Sequence, residues 1–204
     1  MASIYQLKAR FQGLLRPLVG VLAHKGVTAN QVTLAAAAAS VVMGLLLLYF
    51  SDHRFPWLLL PIFMFFRMGL NAVDGMLARE HNMKSRLGAI LNELGDVIAD
   101  TALYLPFALI AGAYAWLVVL VCIFAIITEM TGLIGLQVGA SRRYDGPMGK
   151  SDRAFVFGTL GFALGMGAVP GLWLNLVFGI ILLLLLATVY NRAAHALAEA
   201  GADA

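Results

Sequence analysis

Arg67, Asn71, Asp74 and Ala78 are spaced i, i+4, i+7 and i+11, which puts them on one face of a helix. Asn92, Asp96 and Asp100 follow at intervals of four, and Glu93 borders the same face. With Glu129, the ionisable groups Arg67, Asp74, Glu93, Asp96, Asp100 and Glu129 all lie inside strongly apolar sequence. Charge in hydrocarbon is costly and by default marks a site. Crowded carboxylates in low dielectric stay ionised only beside cations. Arg67 is one such cation, and a divalent metal is the other. Carboxylate and amide oxygens, with no His or Cys in the cluster, suit Mg²⁺, Mn²⁺ or Ca²⁺ rather than zinc. The bland alternative is an internal ion-pair network of Arg67 with Asp74 or Glu129. One arginine cannot balance five acids in hydrocarbon, which favours a site.

The elements that carry these residues must be membrane helices. Of 204 residues, 61% are hydrophobic and only 12% are charged, against about 25% charged in a soluble domain. Mean hydropathy is +0.87. Disorder and a soluble globular domain are excluded. The length allows one domain, 1–204, and a lone cysteine allows no disulfide framework. Stretches of about 20 apolar residues read as spans. They run from Gln31 to Phe50, Trp57 to Ala78, Leu87 to Ile110, Tyr114 to Ala140, Ala154 to Val169 and Leu172 to Tyr190. Pro170-Gly171 separates the last two. The expected fold is therefore all-α and integral to the membrane, a six-helix bundle over 31–190.

Basic residues sort the loops. Lys8, Arg10, Arg16 and Lys25 precede the first span. Arg79, Lys84 and Arg86 follow the second, and Arg142, Arg143, Lys150 and Arg153 follow the fourth. The intervening loops hold only Arg54. The positive-inside bias then places both termini in the cytoplasm. Ile4, Leu7, Phe11, Leu14, Leu15, Leu18 and Leu22 recur at helical spacing, so 1–25 reads as an interfacial amphipathic helix rather than a cleavable signal. Trp57, Trp116 and Trp173 fall where an interfacial aromatic belt would.

The stretch from Asn71 to Asp96 resembles the signature of the CDP-alcohol phosphotransferase family, D-x-x-D-G-x-x-A-R-x8-G-x3-D-x3-D. Asp74, Gly75, Ala78, Arg79, Gly88 and Asp96 match in register, while Asn71 and Asn92 stand at the first and third acids. Thr28-Ala29-Asn30-Gln31-Val32-Thr33 is similar to the family's T-P-N-x-x-T opening without its proline. The run 71–105 is most similar to a bacterial inner-membrane branch with asparagine at the same two positions. The resemblance implies six transmembrane helices, an amphipathic N-terminal helix, a homodimer and an active site facing the cytoplasm. It implies transfer of a phosphatidyl group from CDP-diacylglycerol, or a related CDP-lipid, to a small alcohol, phosphorylated alcohols included, with release of CMP. It assigns Mg²⁺ or Mn²⁺ to Asn71, Asp74, Asn92, Glu93 and Asp96, with Asp96 as general base. It assigns the nucleotide to Gly75, Ala78, Arg79, Gly88 and Thr33.

The two asparagines remove two charges from what is a two-metal site in the family. A single metal, with Glu93 and Asp100 supplying charge, is the reading the residues favour. A catalytically silent CDP-lipid binder is the alternative, and a small ion-coupled transporter is a third. The transporter lacks support from an inverted hydropathy repeat. The loop cations Arg142, Arg143, Lys150 and Arg153 suit an acceptor phosphate, or serve only topology and anionic lipid. No feature points to nucleic acid.

Overall fold

The computed structural model describes residues 4–202. The described chain is helical: α1 (Ile4–His24), α2 (Ala29–Tyr49), α3 (Arg54–Glu80), α4 (Arg86–Tyr104), α5 (Ala115–Gln137), α6 (Lys150–Gly165) and α7 (Leu172–Ala202), with a 3₁₀ segment Leu105–Leu109 after α4. Four helices, α2, α3, α5 and α7, are long and apolar enough to cross a membrane. These correspond to the first, second, fourth and sixth expected spans. The other two differ for separate reasons. α4 carries Arg86, Glu93, Asp96 and Asp100, and α6 has 16 residues.

Local chemistry sets the helix starts. Thr28 and Gln31 form a reciprocal capping box on α2, with Gln31 Oε1 accepting from the Thr28 amide over 2.9 Å. Ser85 caps α4, accepting from the Gly88 amide over 2.9 Å. Two prolines then shape the packing. Pro61 inside α3 and Pro106 after α4 lack the N–H that would bond the carbonyls of Trp57 and Ala102. A glycine from a neighbouring helix lies over each freed carbonyl. A Cβ on Gly161 of α6 would stand 3.2 Å from the Trp57 oxygen. A Cβ on Gly44 of α2 would clash outright with the Ala102 oxygen. Gly165 continues the small face of α6 and lies against Leu58. The Gly161-xxx-Gly165 pair therefore serves contact within the chain.

α2 packs against both α3 and α4, α3 also packs on α6, and α5 packs on α7. The core is aromatic where these meet. Tyr104 stacks on Phe157 at 3.9 Å between centroids, and Phe107 meets Trp57 at 4.7 Å. Trp57 is thus a core residue, only 3% exposed, and not a belt residue. Its indole N–H donates to the Ser51 carbonyl over 2.8 Å. Trp116 and Trp173 keep exposed faces. Cys122 is buried packing.

α1 lies along α3. Val19 is fully buried, and Leu15 and Leu22 pack with it against Val73, Met76 and Leu77. Leu14 and Leu18 point outward. Arg16 pairs with Glu80 over 3.0 Å. Ile4, Leu7, Lys8 and Arg10 lie outside the residues whose side chains are described.

Candidate active site in the cleft beside helices 3, 4 and 6

The signature residues sit on α3 and α4, and both helices use α2 as their common wall. Asp74 is buried, and the Thr33 hydroxyl of α2 donates to its Oδ2 over 2.8 Å. Asn30, also on α2, occupies the space in front of Gly88: a Cβ there would stand 2.6 Å from Asn30 Oδ1. The segment from Thr28 to Thr33 therefore joins the two halves of the signature. The Arg79 guanidinium lies over Gly75, where a Cβ would come within 3.0 Å of Nη2. Asp74 and Asp96 lie within electrostatic reach of each other.

Asn71 and Arg67 open onto a cleft of about 630 Å³ between α3 and α6. Lys150 and Ser151 complete its polar end. Beyond them the walls are apolar, formed by Met64, Phe65 and Met68 on one side and Ala154, Phe155 and Phe162 on the other. Polar and apolar compartments are thus continuous.

An ion network surrounds the polar end. Arg67 Nη1 lies 2.7 Å from Asp100 Oδ1, and Nη2 lies 3.7 Å from Asp96. Lys150 pairs with Asp96. Arg142 engages both oxygens of Glu93, one of them over 2.9 Å. Arg153 is 1% exposed, and its Nη2 bridges Asp100 at 3.1 Å and Glu129 at 2.9 Å. Arg192 reaches Glu129 from α7 at 3.6 Å.

The anticipated partners of Arg67 were Asp74 or Glu129, but α4 presents Asp96 and Asp100 to it instead. Asp74 turns toward α2. Glu129 is taken by Arg153, Arg142 and Arg192, whose side chains reach it from α6, the loop and α7. Several arginines, not one, balance the buried acids. Each of the loop cations Arg142, Arg143, Lys150 and Arg153 is held by acids of the chain itself. Arg143 pairs with Asp145 over 2.7 Å and also with Glu199. The Arg143 guanidinium, helped by His195 at 3.2 Å, holds the Asp145 carboxyl below the usual carboxylate range.

Asn71, Asp74, Asn92 and Asp96 supply oxygen donors from two helices. Among the described residues, no three His, Cys, Asp or Glu side chains form a metal-binding group. Glu93 faces Arg142, so its carboxylate is engaged by a cation.

Arg192, Asp145 and Glu199 were not foreseen as parts of this network. Arg192 ends a long apolar run, where a single arginine reads as a topology marker. In the structure it is 2% exposed and donates to the Asp145 carbonyl over 3.2 Å. Only the fold, which brings α7 back beside α5, gives it that place.

Residues 26–191 match the model of the CDP-alcohol phosphatidyltransferase family. The inner membrane protein YnbA of Escherichia coli strain K12 is 50% identical over 190 residues, covering 93% of this chain and 94% of that protein. A phosphatidylinositol phosphate synthase of Streptomyces avermitilis is 36% identical over 102 residues, half of this chain and 40% of that protein. The crystal structure of Mycobacterium tuberculosis phosphatidylinositol phosphate synthase (PgsA1) with CDP-DAG bound superposes with a TM-score of 0.70 at 20% identity, over 90% of this chain and 92% of that one. That likeness is one of fold. The signature on α3 and α4 and the family match over most of the chain lead to one conclusion: this protein belongs to the CDP-alcohol phosphatidyltransferase family and is a phosphatidyltransferase.

Proposed function

We propose that the protein transfers the phosphatidyl group of CDP-diacylglycerol, or a related CDP-lipid, to the hydroxyl of a small alcohol and releases CMP. The observation that carries this reading is the continuity of the cleft. Its polar end at Arg67, Asn71 and Lys150 runs into an apolar groove between α3 and α6. Such a groove suits an amphiphile with a charged head at the signature and acyl chains along the helices. The CDP-DAG bound to the structurally similar synthase supports the same donor.

In this reaction the acceptor oxygen bonds to the lipid-side phosphorus. The bond from that phosphorus to the anhydride oxygen breaks, and that oxygen leaves with CMP. Asp96 takes the hydroxyl proton as general base. Gly75 and Ala78 leave room for the nucleotide beside α3. Arg79, lying over Gly75, is placed for a phosphate oxygen. Gly88 keeps α4 close to Asn30. Thr33 keeps Asp74 aimed.

Asp74 is a buried carboxylate with no cationic side chain paired to it among the described residues. That arrangement, with neutral Asn71 one turn before it on α3 and neutral Asn92 one turn before Asp96 on α4, fits one hard divalent ion. Asp74, Asp96, Asn71 and Asn92 would hold Mg²⁺ or Mn²⁺, which when bound neutralises the pyrophosphate and the leaving CMP.

The reading includes six spans, with α4 and α6 crossing alongside the four apolar helices. Glu93, Asp96 and Asp100 of α4 and Lys150 and Arg153 of α6 face the network rather than lipid. α1 lies on the membrane surface, with Leu14 and Leu18 toward lipid. Arg79 in the last turn of α3 and Arg142 and Arg143 in the loop after α5 support a cytoplasmic location for the polar end of the cleft. The membrane is then the bacterial inner membrane, and the protein works there as the homodimer the family resemblance implies.

The test is CMP release by purified protein from CDP-diacylglycerol with Mg²⁺ or Mn²⁺ and a pool of small alcohols, with Asp96→Asn as control. Metal-dependent CMP that disappears in the variant supports the transferase. Tight CDP-lipid binding without CMP under any metal would replace it with the silent binder.

A further inference from the structure

Three guanidinium groups converge on Glu129. Arg153 Nη2 lies 2.9 Å from Oε1, Arg192 Nη1 lies 3.6 Å from Oε2, and Arg142 Nη2 lies 3.8 Å from Oε2. Arg153 and Arg192 are 1% and 2% exposed, so their positions are set by packing. Converging arginine forks are the arrangement that recognises a phosphate monoester. Here α5 fills that cradle with a carboxylate of its own.

The remaining cations near the cleft are also engaged. Glu93 accepts both Nη groups of Arg142, and Asp100 takes Arg67 and shares Arg153 Nη2 with Glu129. Lys150 is held by Asp96. An acceptor phosphate bound by these guanidinium groups would have to displace Glu129 or Glu93 while facing both. Like charges in a partly desolvated site repel strongly. An uncharged hydroxyl compound meets no such demand. It can donate to Asp96 and accept from Lys150 or the Asn71 amide.

We infer that Glu129 is a specificity-determining residue: it stands in for the acceptor phosphate, so the acceptor is a small alcohol that carries no phosphate. This rests on the transferase reading and names the substrate class of the same site. Glu129 does not touch the reacting atoms. It acts by keeping Arg142, Arg153 and Arg192 neutralised.

The test compares paired acceptors, glycerol with glycerol 3-phosphate and inositol with inositol 1-phosphate, in CMP release from CDP-diacylglycerol. Wild type should favour the unphosphorylated member by about 100-fold in kcat/KM. Glu129→Gln should narrow that ratio at least about tenfold, by lowering KM for the phosphorylated member while leaving KM for the donor unchanged. A merely structural role would lower kcat for both members alike and leave the ratio intact, which would overturn the inference. A wild-type preference for the phosphorylated member would overturn it too.

A second measurement is calorimetric titration of wild type with inorganic phosphate, at saturating CDP-diacylglycerol and without metal. The expected Kd is weaker than about 10 mM, and submillimolar binding would overturn the inference. This arm needs neither turnover nor a folded variant. If no acceptor yields CMP, the transferase reading fails, and the phosphate titration still decides the role of Glu129.

Discussion

The hydroxyl of Thr33 donates to Asp74 Oδ2 over 2.8 Å and so ties α2 to the signature acid of α3. The same hydroxyl lies 3.1 Å from the Ala29 carbonyl, which fixes its rotamer. Asp74 is buried, so losing this donor leaves a carboxylate oxygen short of a partner. Thr33→Val keeps the shape and removes the donor. It should lower the rate of CMP release about tenfold, and Thr33→Ser should restore most of it. Full activity in Thr33→Val with loss in Thr33→Ser would show that methyl packing, not the hydrogen bond, matters.

Asp96 carries the proton transfer in the proposed reaction. Asp96→Asn keeps an oxygen ligand and loses the base. CMP release should fall about 100- to 10,000-fold, while binding of CDP-diacylglycerol persists. The readouts are a CMP assay and equilibrium binding of the donor to the same preparation. Parallel loss of both would mark Asp96 as a binding residue instead.

The Arg67–Asp100 pair, 2.7 Å apart, is a matter of stability. Arg67→Met leaves Asp100 with Arg153 alone in low dielectric. The expected cost is about 3–5 kcal/mol, because an incompletely paired charge stays buried. The double variant Arg67→Met, Asp100→Asn should recover part of that loss. Thermal unfolding in detergent measures both, and strict additivity would contradict a direct pairing.

Gly44 of α2 lies over the carbonyl of Ala102, which lacks an amide partner four residues on because that residue is Pro106. Gly44→Ala should push α2 from α4 and cost about 1–3 kcal/mol. Gly69, which has open space before it, should accept alanine with little change. Comparing the two unfolding temperatures separates packing from the general effect of alanine in a helix.

Asp145 gives the pH dependence. Arg143 holds its carboxyl below the ordinary range. A carboxylate with a depressed folded pKa adds stability above its unfolded value, about 3.9. That contribution is lost as the pH falls through the folded value. The gap in unfolding temperature between wild type and Asp145→Asn should hold steady from about pH 7 to about pH 5, then shrink on further acidification. A gap that does not change down to about pH 3 would assign the effect to geometry rather than charge.

Apolar length and fixed spacing were legible in the sequence. α2, α3, α5 and α7 stand where long runs of low charge put them, because hydropathy is a local property. The register of Asp74, Gly75, Ala78 and Arg79 on α3, and of Asn92 and Asp96 on α4, follows from helical periodicity alone. The family followed from that register.

Which charge meets which was not legible, because pairing depends on how helices distant in sequence come together. Glu93 and Asp100 sit on the same helix seven residues apart, yet one goes to Arg142 of the loop and the other to Arg67 and Arg153. Trp57 looked like a membrane-surface residue until α6 and the 3₁₀ segment closed over it. Arg153 and Arg192 looked like exposed loop and tail cations. The fold buries both against Glu129, since only a surrounding set of opposite charges and carbonyls lets a guanidinium leave water. Local sequence thus determined the helices and the chemistry they carry, while the tertiary structure decided how their charges cancel.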